Sequence, residues 1–435
     1  MLIKSLELKP SSVKKATINL PGSKSISNRA LLLSSLAEGK THINNLLFSD
    51  DTKLMISSLK KLGIKLEEKE HLQKCIVNGS KNLFPSKKND LFIGNAGTVI
   101  RPLLAVLAFN QGEYKLHGTD RMHERPIGDL VNSLNSIGAK IQYMNNVGYP
   151  PIKIISSHAK KSKITIRGNL SSQFLTSVLM SSPMIAKNEN LEIEILGELI
   201  SKPYINITLK LMKLFGLKIK EVKKNYFMIP SNQIYKSPKN INIEGDASTA
   251  SYFLAAAAIS GSPIRVNGIG NDSIQGDIEF IDYLKLMNAK VKTGKNWIEV
   301  TSKTKLKPIN ADLNNIPDAA MTLAILCLYA DGISTLRNIG SWRVKETDRL
   351  SAMSKELRKL GAKITEGKDF LIIKPPKKLI PSIIDTYDDH RMAMSFSLAS
   401  LNSKYKKGSF ITINNPNCVS KTFPNYFDFF NRILV

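Results

Sequence analysis

The chain has 435 residues, 42% of them hydrophobic and 23% charged; this is a globular balance, too long for one ordinary core, and two domains are expected. Its net charge of +26 would suggest nucleic acid if concentrated, but the lysines run through almost every segment, "KKSK" and "KYKKG" among them, with no RNA-recognition, zinc-finger or helix-turn-helix pattern. Cys75, Cys327 and Cys418 lack CxxC spacing, which excludes a disulfide framework and argues against structural zinc.

In chain order, "SLELKPSSVKKATINLPGS" (5–23) opens the sequence as a strand-like segment expected to belong with the C-terminal half. No signal-peptide core accompanies it and no apolar run reaches the roughly 18 residues of a membrane span, so a cytoplasmic protein is expected. "PGSKSISNRALLLSSLAEGK" (21–40) then predicts a helix whose first turn crowds Lys24, Ser25, Ser27 and Arg29. Cations at that positive end are unfavourable unless an anion lies between them and the backbone amides. Further apolar helices are predicted from "GNAGTVIRPLLAVL", "GNLSSQFLTSVLM", "GDASTASYFLAAAA", "PDAAMTLAILCL" and "DDHRMAMSFSLA".

Five segments share one ending: "LGIK", "IGAK", "FGLK", "MNAK" and "LGAK", whose Gly or Asn falls at 63, 138, 216, 288 and 361. Each follows a helical apolar run and precedes a lysine-bearing strand, so a left-handed helix C-cap is predicted at each. The recurrence implies six units of about 70 residues, each helix, strand, helix, strand, grouped as two α/β domains of three units. A boundary is predicted near "SPKNINIEGDAS" (237–248) and another near residue 21.

Only 12 of the 62 basic residues are arginine. Seven of them (Arg29, Arg101, Arg121, Arg125, Arg343, Arg349, Arg391) fall in short polar motifs. Guanidinium grips phosphate or carboxylate with a planar fork that lysine lacks, so clustered arginine points to small-anion recognition.

"LPGSKSISNRALLL", "GNAGTVIRPL", "RMHERPIGDLV", "SSQFLTSVLM", "SKPYINITL", "EGDASTASYFLAAAA", "IPDAAMT", "WRVKETDRL", "DDHRMAMSFSLA" and "SKTFPNYF" occur in this order between about residues 18 and 428. Together they resemble the 5-enolpyruvylshikimate-3-phosphate synthase family of enolpyruvyl transferases. The resemblance implies an α/β fold of two similar domains, each of three βαβαββ repeats (an inside-out α/β barrel), here residues 1–21 plus 243–435 and residues 22–242. It places the active site in the cleft between them. It implies transfer of the enolpyruvyl group of phosphoenolpyruvate to the 5-hydroxyl of shikimate 3-phosphate, on the shikimate pathway to chorismate and the aromatic amino acids. No metal or organic cofactor is implied, and a monomer without nucleic-acid or membrane partners is expected.

By the same resemblance, Lys24 touches both substrates. Ser25, Arg29, Ser171, Ser172, Gln173, Ser201, Asp318 and Lys345 contact shikimate 3-phosphate. Gly97, Arg125, Gln173, Arg349, Arg391 and Lys421 enclose phosphoenolpyruvate, with Gly97 allowing close backbone approach. Asp318 is the expected base on the 5-hydroxyl and Glu346 the expected proton donor. A carboxyl flanked by Lys345 and Arg349 would need desolvation or substrate phosphate to hold that proton. Gly97, Thr98 and Pro102 together resemble the glyphosate-sensitive class.

Read alone, "VKETDR" suits a solvated helix face and Asp318 a helix cap, and His390 has no assigned proton-transfer role. Two positions depart from the family pattern: Ser341 stands where Asn is usual, and His123 where Lys is common. A shorter Ser341 puts one substrate hydrogen bond in doubt, which a bridging water could replace. Of the rivals, the sister transferase acting on UDP-N-acetylglucosamine opens with "GAKNAAL" and carries a loop cysteine, both missing here. A non-catalytic anion- or nucleic-acid-binding repeat protein is suggested only by charge.

Overall fold

The five recurrent positions end helices as their sequence predicts. In a computed structural model that describes residues 3–401 and 410–435, leaving "KYKKG" outside, Gly63, Gly138, Gly216, Asn288 and Gly361 have φ of 90°, 111°, 85°, 75° and 92°. This left-handed geometry reverses the chain at a helix end, and glycine enters it without a Cβ penalty. The strands Lys65–Lys69, Lys140–Tyr143, Lys220–Lys223, Lys290–Thr293 and Lys363–Glu366 follow at once.

The repeats build small separate sheets, three of which take a strand from a distant part of the chain. In one of the others, Lys88–Phe92 pairs in parallel with Glu113–His117 across the helix Gly97–Leu107, with Lys88 opposite Glu113. Glu113–His117 then pairs antiparallel with Ile152–Ile155, whose outer neighbour is Lys140–Tyr143. That is βαβαββ, two strands more per unit than the helix–strand alternation predicts: a leading strand and a hairpin strand. Among the described residues, five four-stranded sheets share this order, and a sixth has three strands. The short sheet explains why there are five endings and not six. Its parallel pair is Ile383–Ile384 with Ile411–Asn414, and the N-terminal Ser5–Leu8 takes the antiparallel place a hairpin strand holds elsewhere. The opening segment is therefore two strands in two sheets, because Ala16–Asn19 pairs in parallel with Ile264–Asn267.

The chain divides into two compact units: a terminal unit, Met1–Pro21 with Glu244–Val435, and a central unit, Gly22–Ile243. In the central unit the helices Lys24–Leu36, Gly97–Leu107 and Ser172–Ile185 are buried on nearly every side, which is why their sequences are apolar or small all round rather than along one stripe. In the terminal unit Ala247–Ser260, Ala320–Leu326 and His390–Ser397 are buried in the same way. No helix among the described residues is long and apolar enough to cross a membrane.

Candidate active site

In the central unit, the first turns of the three buried helices meet. Asn28 donates to Thr98 Oγ1 at 2.8 Å, joining the Lys24 and Gly97 helices, and Arg101 donates to Gln173 Oε1, joining the Gly97 and Ser172 helices. Arg29 completes the ring. Its Nε donates to Thr208 Oγ1 at 2.9 Å, its Nη1 to the Ser25 carbonyl at 2.9 Å, and its Nη2 to Thr176 Oγ1 at 3.4 Å. These acceptors are neutral, and burial pushes the Arg29 guanidinium down to about 10.

Lys24, buried in the same turn, lies 3.3 Å from the Asp51 carboxylate. Arg125 Nη1 reaches both the carbonyl and side-chain oxygens of Asn95 at 2.9 Å. A Cβ at Gly97 would stand 2.7 Å from Arg125 Nη2, so any larger residue there would have to shift the guanidinium. Neither the Lys24 nor the Gly97 helix has a side-chain cap, whereas Ser171 caps its own helix by accepting from Gln173 N at 3.3 Å. Ser201 precedes the helix Lys202–Leu214 in the left-handed region, φ 52°, and that helix supplies Thr208. Bare amide ends and buried cations gathered in this way form an anion-binding surface.

The terminal unit builds a second cluster from its own helix starts, and there carboxylates interleave with the cations. Asp318 precedes the helix Ala320–Leu326 but does not cap it. Its Oδ1 lies 3.0 Å from Arg349 Nη1 and 3.6 Å from Lys345 Nζ, and its Oδ2 2.9 Å from Arg391 Nη2. Burial alone would raise Asp318, but Arg391, Lys345 and Arg349 outweigh it and hold the carboxyl well below its usual range.

Arg349 also grips Asp389 through Nε at 2.7 Å and Nη2 at 3.2 Å, and Glu346 through Nη2 at 2.9 Å. Burial would lower this guanidinium, yet Asp389, Glu346 and Asp318 raise it above the ordinary arginine value. "VKETDR" is thus no solvated helix face: Glu346 is buried, and Asp348 caps the Arg349–Lys359 helix by accepting from Ser351 N at 3.0 Å. Buried Lys421 ends the 3-10 helix Pro416–Lys421, which packs against His390–Ser397.

Several residues in these clusters were not singled out for a role by their motifs. Trp342, fully buried, donates its indole N–H to the Pro317 carbonyl at 2.6 Å and so fixes the backbone that presents Asp318. Tyr252 accepts from Arg391 Nη1 at 3.3 Å, and Asp389 receives the Arg349 fork. The aspartates of "DDHR" carried a legible signal, an acid directly before a motif arginine. Two of the seven motif arginines lie elsewhere: Arg121 pairs with exposed Glu124, and Arg343 with half-buried Asp348 and Glu366. Arginine scarcity marked the right neighbourhoods but not every member. His123 takes a local role, its Nε2 accepting from Gly118 N at 3.2 Å.

The sequence matches the family described as EPSP synthase (3-phosphoshikimate 1-carboxyvinyltransferase) over residues 8–430. The chain belongs to the EPSP synthase family. Among its relatives, a 3-phosphoshikimate 1-carboxyvinyltransferase of Herminiimonas arsenicoxydans is 55% identical over 428 residues, covering 98% of this chain and 97% of that protein. One of Paraburkholderia phytofirmans is 54% identical over 435 residues, covering 98% and 99%. A solved EPSP synthase structure from Acinetobacter baumannii superposes with a TM-score of 0.81 at 24% identity, covering 99% of this chain and 98% of that one, a likeness of fold. The two-domain α/β architecture of EPSP synthases is therefore that of this protein.

Proposed function

We propose that the two clusters serve one pair of substrates and carry the family's reaction. The protein is a transferase that moves the enolpyruvyl group of phosphoenolpyruvate to the 5-hydroxyl of shikimate 3-phosphate, releasing phosphate, within aromatic amino acid biosynthesis. In the central unit, Lys24, Ser25, Arg29, Ser171, Ser172, Gln173 and Ser201 hold shikimate 3-phosphate, and Lys24, Gly97, Arg125 and Gln173 hold phosphoenolpyruvate. In the terminal unit, Asp318 and Lys345 contact the shikimate ring, Arg349, Arg391 and Lys421 take the donor's anionic groups, and Glu346 protonates its methylene carbon.

The observation that carries this reading is Asp318 bridging Arg349 and Arg391 while Arg349 also holds Glu346. A carboxylate so held is ionised and weakly basic. Substrate phosphate and carboxylate would compete for the same cations, loosen their hold and raise the proton affinity of Asp318 as the 5-hydroxyl arrives. Bringing the two anions together on neutralising groups supplies proximity and charge stabilisation without a metal. A monomeric cytoplasmic enzyme, inhibited by glyphosate in competition with phosphoenolpyruvate, completes the proposal. The test is a coupled phosphate-release assay: phosphate appears from phosphoenolpyruvate only with shikimate 3-phosphate present, and release without it, or none at all, defeats the reading.

A further inference from the structure

A carboxyl group without an assigned role lies in the terminal-unit cluster. Asp277 is buried on the short 3-10 helix Gly276–Glu279, which packs against the first turns of Ala247–Ser260. Ser248 of that helix bonds its Oδ2. Gln275, two residues earlier, locks the pairing by accepting from Ala247 N at 3.1 Å and donating to the Gly245 carbonyl at 2.7 Å. The same helix touches both neighbours of the reacting centre. Ser251 bonds Thr322 at 2.7 Å on the helix that follows Asp318, and Tyr252 accepts from Arg391. Asp277 thus stands on the framework that fixes Asp318 and Arg391, within electrostatic reach of both.

We propose that Asp277 is a positioning residue for the reaction read above, a buried carboxyl whose charge raises the proton affinity of Asp318 without itself touching substrate. Two like charges in a poorly solvated site favour a proton on one of them, so an ionised Asp277 makes Asp318 a stronger base. Its own burial, then Asp318, push Asp277 up to about 7, while Arg391 and the Ser248 hydroxyl hold it lower. Asp246 also raises it, and the Asp246 carboxylate accepts from Thr249 N at 2.8 Å as a helix cap. Other acids around this helix face different partners: Glu244 accepts from Ile274 N, Glu279 from Asn315, and Asp282 pairs with Lys285. Tyr283, on the helix that continues from it, donates to the Asp312 carbonyl.

The inference rests on the proposed reaction, and the test separates the two. Turnover of wild type, Asp277→Asn and Ser248→Ala is measured from pH 6 to 8, and each variant's rate is divided by the wild-type rate at the same pH, cancelling titration of the substrate phosphates. The Asp277→Asn ratio should fall with rising pH, from near one at pH 6 to a several-fold loss, at most about tenfold per unit of lost proton affinity, at pH 8. Removing the Ser248 hydroxyl should move the wild-type rise to higher pH, and it gives a second arm if Asp277→Asn folds poorly. Ratios that stay constant with pH for a folded variant overturn the inference, whatever their size, since a merely structural loss is uniform. A wild type that releases no phosphate overturns the reaction itself.

Discussion

Two arginines, each almost wholly buried, behave in opposite ways. Arg29 in the central unit bonds hydroxyl and carbonyl oxygens, and burial lowers it to about 10. Arg349 in the terminal unit touches Asp318, Glu346 and Asp389, and those carboxylates raise it despite the same burial. A buried cation on neutral acceptors is held at a cost that an anionic ligand can offset. A buried cation already shared among three acids is part of proton chemistry, and its partners must be redistributed before a ligand gains anything. On the proposed reading the comparison divides labour: the central cluster would receive anions, and the terminal cluster, besides taking the donor's anionic groups, would transfer protons.

The largest expected effect lies in the terminal cluster. Asp318→Asn or Glu346→Gln should reduce the phosphate-release rate by about 10²–10⁴-fold, the usual weight of a general acid or base, with the melting transition retained. Wild-type turnover in both variants would erase the distinction. Stability sharpens the comparison next. Arg349→Gln takes the shared cation from buried Glu346 and Asp389, while Asp318 keeps Arg391 and Lys345, and should cost about 3–5 kcal/mol in urea unfolding, whereas Arg29→Gln, relieving a buried charge on neutral acceptors, should be neutral or stabilising without ligand. Equal losses would show that Arg29 is no waiting cation.

Acid unfolding follows from Asp318. Its folded pKa is depressed, so its stabilisation is present above the unfolded value near 3.9 and lost as pH falls through the folded one. Asp318→Asn should flatten that part of the stability–pH curve below about pH 4. A smaller effect belongs to Gly97→Ala: the added Cβ, 2.7 Å from Arg125 Nη2, should displace the guanidinium and raise KM for phosphoenolpyruvate about tenfold, as loss of one charge-assisted hydrogen bond would. The smallest is Ser341→Asn, a restored family contact, expected to lower KM for shikimate 3-phosphate by about two- to fivefold in initial-rate measurements.

Much of this was legible beforehand for a physical reason. Helix ends must reverse the chain, and the residues that do so cheaply are few, so Gly63, Gly138, Gly216, Asn288 and Gly361 exposed the repeat. The cations of "GSKSISNR" conflicted with the dipole of their own helix, which marked Lys24 and Arg29 as candidate anion ligands, and the structure buries both at that helix start. Strand exchange was legible in outline, since the opening segment was expected with the C-terminal half, but nothing local shows that it splits into two strands in two sheets, Ser5–Leu8 with Ile411–Asn414 and Ala16–Asn19 with Ile264–Asn267. Asp277 was invisible for a similar reason: "QGDIEF" reads as an ordinary helix start, and only its contact with Ser248 brings it beside the chemistry. Trp342 was quoted only as part of a motif, since a tryptophan that ties down a carbonyl looks, in sequence, like one that fills a core.

The division of labour has one direct test, a phosphate-release titration against shikimate 3-phosphate for Arg29→Gln and Asp318→Asn side by side. The account predicts that Arg29→Gln regains most of its turnover at high shikimate 3-phosphate, while Asp318→Asn stays at least about a hundredfold slow at every concentration. Recovery of both variants, or of neither, would contradict it.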